Sequence, residues 1–141
     1  LSEVLGGMAL MTDVVQDVHS LGLKAICAGT APPNPAELLG SGTMAETLDL
    51  LSPEYDYILM DTPPVNLVSD ALALSRMTDG VILIVREKRT THTDLARASA
   101  GLGFANAKIL GVIINDVQNG TTKHYMKYRY GGAYKGAPQK R

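Results

Sequence analysis

Apolar residues along this chain come in short blocks separated by proline, glycine and polar turns, with neither a long helical stripe nor a strict alternation. Four blocks, at 23–28, 57–60, 80–85 and 108–114, have the length and composition of buried strands. Each stops abruptly. The first runs into Gly29-Thr30-Ala31-Pro32-Pro33 and the second into Asp61-Thr62-Pro63-Pro64, where the prolines fix φ and remove N–H donors. Helix signals lie between. Asn34 as N-cap, Pro35 at the first position, Glu37 and then Gly40 bound a helix at 35–39. Thr43 with Glu46 makes a capping box ahead of a helix whose Met44, Leu48 and Leu51 share one face. Ser69-Asp70 starts another, which Asp79-Gly80 closes. Thr91 or Thr93 caps a further helix with Leu95, Ala98 and Leu102 on its buried side, and Gly101 and Gly103 mark its end. One helical turn fits 2–5, before Gly6-Gly7, while 8–20 suits a short helix or a strand. This alternation predicts an α/β domain, a mainly parallel sheet flanked by helices with right-handed crossovers.

The block at 57–60 is where the pattern meets chemistry. Ligands of open α/β sheets lie beyond the carboxyl ends of strands, and Asp61 stands at such an end. A carboxylate there holds a hydrated Mg²⁺ and, through it, a nucleoside triphosphate. The plainer reading is that Asp61 caps the following turn or helix. An apolar run ending in Asp-Thr-Pro-Pro favours metal–nucleotide work over capping.

Composition narrows the class. The 141 residues suffice for one domain with a real core. No stretch approaches the roughly 18 consecutive apolar residues of a membrane-spanning helix. Cys27 is the only cysteine, and its apolar, strand-like context predicts a buried, reduced thiol in a cytoplasmic protein. His19, His92 and His124 lack metal-ligand spacing and read as surface residues. A chain opening on Leu1 reads as cut from something longer. The net charge of −1 conceals an asymmetry: residues 1–116 hold all 14 acids and 7 of the 13 cations, a net of −7, and the remainder carries +6. Residues 117–141 place Tyr125, Tyr128, Tyr130 and Tyr134 among glycines and cations, with no aliphatic stripe, and read as a flexible basic tail. Such a tail also suits single-stranded nucleic acid, against which the acidic globule argues, or anionic lipid.

In order and spacing, the runs AGTAPPNPAELLGS (28–41), YDYILMDTPPVNLVSDALALS (55–75), DGVILIVR (79–86) and KILGVIIND (108–116), followed by the tyrosine-rich tail, resemble bacterial protein-tyrosine kinases. Those enzymes regulate capsule and exopolysaccharide synthesis and export. The resemblance implies that 1–116 is the C-terminal part of a P-loop NTPase domain of deviant Walker type. It makes Asp61 a catalytic residue that meets Mg²⁺ through water, and Asp61, Thr62 and Asn115 contacts to ATP, with Asn115 at the adenine. An asparagine at a strand end is also a common turn former. Tyr125, Tyr128, Tyr130 and Tyr134 become the phosphoacceptors, modified in trans within a homo-oligomer. A transmembrane activator or adaptor of polysaccharide export, fused or separate, a cognate tyrosine phosphatase and a place at the cytoplasmic face of the plasma membrane are implied as well. No nucleic-acid partner is.

One departure is large. Neither the phosphate loop, Gly-x-x-x-x-Gly-Lys-Ser/Thr, nor the additional acidic motif of these kinases occurs in the chain, which alone is expected neither to bind ATP tightly nor to transfer phosphate. Two alternatives stay open: a partitioning or division-site P-loop ATPase, which shares Asp-Thr-Pro-Pro but not the tyrosine cluster, and a non-catalytic scaffold with a phosphorylatable tail. Four phosphotyrosines would add roughly −6 to −8 charges. That would turn the tail neutral or negative and release it from the acidic globule.

Overall fold

The computed structural model describes residues 1–117. Its elements, in chain order, are α1 (Ser2–Leu5), α2 (Met11–Val14), β1 (Val15–Val18), β2 (Leu23–Ile26), α3 (Pro35–Leu39), α4 (Gly42–Leu51), α5 (Asp70–Leu74), a 3-10 turn (Ser75–Met77), β3 (Val81–Arg86), α6 (His92–Phe104) and β4 (Ile109–Asn115). The four strands form two separate pairs. β1 and β2 make an antiparallel hairpin with Val15 opposite Ile26, and the Asp17 and Lys24 side chains, opposite each other, pair at 2.7 Å. The stretch that suited helix or strand thus contains both. β3 and β4 run parallel with α6 as the connection, Leu83 opposite Val112 and a register shift after Val81. The fold is α/β as expected, but its parallel sheet is confined to these two strands.

The expected strand at 57–60 does not form. Among the described residues nothing hydrogen-bonds to its backbone, and Tyr57 and Leu59 are 86% and 89% exposed. The composition is that of a strand, but a strand exists only as part of a ladder. No described neighbour supplies one.

Three local expectations also shift. Helix α4 begins one residue before Thr43, because Ser41 takes the cap: its Oγ accepts from the Met44 N–H at 3.3 Å and donates to the Leu38 carbonyl at 2.7 Å, joining α3 to α4. Helix α6 is capped by Thr91 in a full capping box with Asp94, and it continues through Gly101 and Gly103 to Phe104. Leu102, fully buried, holds that last turn in the core. Cys27 is exposed, not buried, since the hairpin ends at Ile26 and the thiol is left open to solvent. His19 and His92 are at the surface as expected, and His124 lies outside the described residues.

Two apolar clusters hold the molecule. Leu5, Met44 and Leu74 form one, with Leu38, Leu39, Leu48, Met60 and Met77 against them. Leu83, Ala98 and Leu102 form the other, with Val65, Leu72, Val81, Leu95 and Ala107. Helix α5 contributes to both, Leu74 to the first and Leu72 to the second. Buried Leu→Ala changes cost about 2–5 kcal/mol and exposed ones within about 0.5. Leu102→Ala is therefore expected to lower stability by about 3 kcal/mol and Leu59→Ala to leave it unchanged, read from urea-unfolding midpoints.

Candidate functional site

Asp61 sits on a turn anchored at both ends. Before it, Met60 packs in the first cluster, and after it Val65 packs in the second. The Pro64 carbonyl accepts from the N–H groups of Leu67 at 2.9 Å and Val68 at 3.4 Å, closing the turn that the two prolines stiffen. Asn66 Nδ2 then donates to the Asp94 carbonyl at 2.8 Å, tying the turn to the first turn of α6. The Asp61 carboxylate itself is exposed, and among the described residues it has no hydrogen-bond or ion-pair partner. It caps nothing: the N-cap position of α5 is Ser69, and no side-chain bond caps that helix. Thr62 is half-buried beside it and likewise unbonded.

The carboxyl ends of β3 and β4 lie on the same edge because the strands run parallel, and α6 follows from that end of β3. Asn115 ends β4 opposite Arg86. Its backbone carbonyl accepts from the Glu87 N–H at 3.0 Å, and its Oδ1 accepts from the Asp116 N–H at 2.8 Å. Asp116 takes the left-handed conformation, φ 60°, and its carboxylate accepts from Arg86 Nη2 at 2.7 Å. The turn-forming role of Asn115 is thus visible. Its Nδ2 remains without a described partner. Next to this pair, the Asp94 carboxylate accepts from the Thr91 hydroxyl at 2.7 Å and the Thr91 N–H at 3.1 Å, which holds its pKa below the usual aspartate value. No hydrogen bond among the described residues joins Asp61 to Asn115.

A second carboxylate is built into the amino-terminal end. Glu3 Oε1 accepts from the Thr30 N–H at 2.8 Å, and Oε2 accepts from the Ser2 hydroxyl at 3.1 Å. The Thr30 backbone donor is the chief reason its pKa falls from 4.5 to about 2. Alongside, the Ser2 N–H donates to the Ala28 carbonyl at 2.9 Å, and Gly29 adopts φ +85° where a Cβ would collide with Glu3 and Ser2. These contacts clamp α1 to the loop after β2. Sequence reasoning missed Glu3, Asn66 and the Arg86–Asp116 pair. Only the pair left a signal, opposite charges closing two successive strand blocks; nothing in the sequence marks the other two.

Two depressions flank the edge and its opposite pole. One of about 390 Å³ is lined by residues including Asn34, Glu37, Ser69 and Asp70. The other, about 510 Å³, is lined by residues including Arg76, Asn106 and Lys108. Asp61, Thr62 and Asn115 line neither. Among the described residues no group of three or more His, Cys, Asp or Glu could hold a metal. A lone, unpaired carboxylate fits Mg²⁺ as one contact to a hydrated ion whose other ligands are water and phosphate. The tyrosine cluster lies outside the described residues, and no described helix is long and apolar enough to cross a membrane.

No family model matches the chain. It is 36% identical over 115 residues to the tyrosine-protein kinase YwqD of Bacillus subtilis, covering 82% of this chain and 48% of that one. To the tyrosine-protein kinase CpsD of Streptococcus agalactiae it is 31% identical over 117 residues, covering 83% and 50% respectively. The kinase domain of the Escherichia coli tyrosine kinase ETK superimposes with a TM-score of 0.80 at 31% identity, over 97% of this chain and 50% of that one. The chain therefore spans about half the length of these relatives.

The depressed carboxyl of Glu3 gives a signed pH dependence. Its contribution to stability is full above pH 4.5 and is lost as pH falls towards about 2. Acid unfolding of Glu3→Gln followed by circular dichroism is expected to show lower stability than wild type at neutral pH and a shallower loss between pH 4.5 and 2.

Proposed function

Since the chain is a homologue of bacterial tyrosine-protein kinases with their α/β, P-loop-type fold, we propose that it forms part of an ATP-dependent protein-tyrosine autokinase that regulates capsule or exopolysaccharide synthesis and export. The observation that carries this reading is the Asp61 carboxylate, held in place by a braced turn yet left with no described protein partner. Exposed on a turn that Asn66 ties to the first turn of α6, that carboxylate is available to a ligand.

In this reading, residues 1–116 are the later part of a kinase domain and 117–141 the acceptor tail. Bound MgATP supplies the transferable phosphoryl group and neutralises its charge. Asp61 holds water of the metal shell, and the stiff Thr62-Pro63-Pro64 turn with the Asn66 anchor keeps it oriented. Thr62 offers a hydroxyl beside it, and Asn115 offers its Nδ2 to the adenine. Tyr125, Tyr128, Tyr130 and Tyr134 of a neighbouring copy accept the phosphate. The phosphate loop is supplied from outside this sequence, as is the transmembrane activator that brings the kinase to the inner face of the plasma membrane. A tyrosine phosphatase resets the tail. That the relatives compared are named tyrosine kinases disfavours the partitioning-ATPase and scaffold readings.

Phosphopeptide mass spectrometry on the full-length parent, expressed with its activator, tests this. Phosphate is expected on the tyrosines from Tyr125 to Tyr134, reduced by about 10- to 100-fold in Asp61→Asn, the range for residues that act on a metal at one remove. Bare tyrosines in an intact parent that hydrolyses ATP would refute the kinase reading.

A further inference from the structure

The amino-terminal end of the β3–β4 pair holds a cavity that the proposed kinase chemistry does not use. The chain enters β3 from the 75–80 loop and β4 from the 105–108 loop, and the Val81 N–H, donating to the Lys108 carbonyl at 2.8 Å, joins the two. Between the loops lies the depression of about 510 Å³, lined among the described residues by Ser75, Arg76, Thr78, Ala105, Asn106 and Lys108. Sites for small organic ligands occupy about 300–1,000 Å³. The length of β4, roughly 20 Å, separates this cavity from Asn115. Both loops are braced by their own bonds. The Ser75 hydroxyl donates to the Leu72 carbonyl at 2.9 Å and the Thr78 hydroxyl to the Ser75 carbonyl at 3.2 Å. Across the cavity, the Asn106 N–H donates to the Gly103 carbonyl at 3.0 Å and the Ala107 N–H to the Leu102 carbonyl at 2.9 Å.

Charge sets this cavity apart. Residues 1–116 contain 14 acids against 7 cations, and Lys24 and Arg86 each pair with an aspartate. Arg76 and Lys108 do not. Neither side chain is hydrogen-bonded to or ion-paired with a described residue, and Asp79, the acid on the 75–80 loop, pairs with neither and does not line the cavity. Two positive charges therefore face one space with no counter-ion among the described residues. A planar guanidinium beside an ammonium suits a phosphate group.

The rest of the lining indicates what the phosphate is attached to. Ala105 is the one apolar residue among those described, so a phenyl ring or a nucleobase finds no side-chain face to stack on. The Thr78 hydroxyl has given its hydrogen to a carbonyl and keeps a lone pair, and the Asn106 side chain, unbonded among the described residues, offers two donors and an acceptor. Such groups complement hydroxyls. We propose that this cavity binds a phosphorylated sugar, with Arg76 and Lys108 on the phosphate and Asn106 and Thr78 on the sugar hydroxyls. Binding here does not depend on whether the completed protein transfers phosphate.

The probe is glucose 1-phosphate, titrated into the full, isotope-labelled chain and followed by NMR, with inorganic phosphate, glucose and phosphotyrosine as comparators. Saturable shifts are expected at the amides of 75–78 and 105–108, at an affinity about tenfold above that of inorganic phosphate, with none from glucose. Arg76→Gln and Lys108→Gln are each expected to weaken binding about tenfold, the worth of a hydrogen bond to a charged group. Both side chains are exposed and unbonded among the described residues, so the fold survives their loss. Arg89→Gln, an exposed cation beyond the other end of β3, leaves binding unchanged. Asn106 has φ 57°, which glycine adopts freely, so Asn106→Gly removes the amide and keeps the backbone. That variant is expected to erase the margin of glucose 1-phosphate over inorganic phosphate while inorganic phosphate binds as before. Absence of shifts, shifts confined to other segments, equal affinity for inorganic phosphate, tighter binding of phosphotyrosine, or indifference to Arg76→Gln and Lys108→Gln would each overturn the proposal.

Discussion

A backbone amide that leaves water has to be bonded, and this constraint separates the parts of the chain that became a sheet from the part that did not. The 57–60 run and β3 are both short, apolar and bounded by turn signals. β3 finds β4 because α6 is long enough to cross back over the sheet and bury Leu102, which brings the two strands side by side. The 57–60 run has an equivalent helix after it, α5, but that helix leads to a strand that shares no hydrogen bond with the run. The same sequence code thus gives a ladder in one place and an unbonded run in the other. The difference lies in the neighbour, not in the code.

Helix α5 carries the consequence to the site. It is only five residues long, yet Leu72 and Leu74 enter different apolar clusters, so it joins the two halves of the interior. The turn that bears Asp61 shares both clusters through Met60 and Val65 and is pinned a third time by Asn66. The carboxylate is therefore positioned by packing and by bonds made by its neighbours, while its own oxygens bond no described residue. An acceptor group meant to meet a hydrated cation needs that combination: a fixed backbone and unsatisfied lone pairs.

Much of this was legible in the sequence, where the determinants are local. Pro35 and Gly40 bound α3, Thr91 with Asp94 starts α6, and the aliphatic runs before Arg86 and Asn115 became the parallel pair. What failed depended on contacts made at a distance. Thr43 lost the cap of α4 to Ser41, since Ser41 could also bond the end of α3. Gly101 and Gly103 did not end α6 because burial of Leu102 between them outweighs their poor helix propensity, about 1 kcal/mol each. Cys27 was expected inside on its apolar context, but a two-stranded hairpin has no second layer to bury it. Glu3 could not be singled out, because its partner Thr30 is brought to it only by the folded loop around Gly29.

Asn115 has an observed local role that leaves room for the proposed one in the same side chain. Its Oδ1 accepts from the Asp116 N–H, and the left-handed backbone of Asp116 turns the following chain away, allowing the Arg86–Asp116 pair to close the strand ends. That bond does not consume the amide. A carbonyl oxygen has two lone pairs, and the Nδ2 group, with two donors, makes no bond to a described residue. Recognition of an adenine edge by asparagine uses one donor and one acceptor, and Asn115 retains both. The turn bond restricts where that amide can point, so the constraint that makes Asn115 look like a mere turn former also pre-orients it. The proposed adenine contact therefore requires no loss of the turn bond.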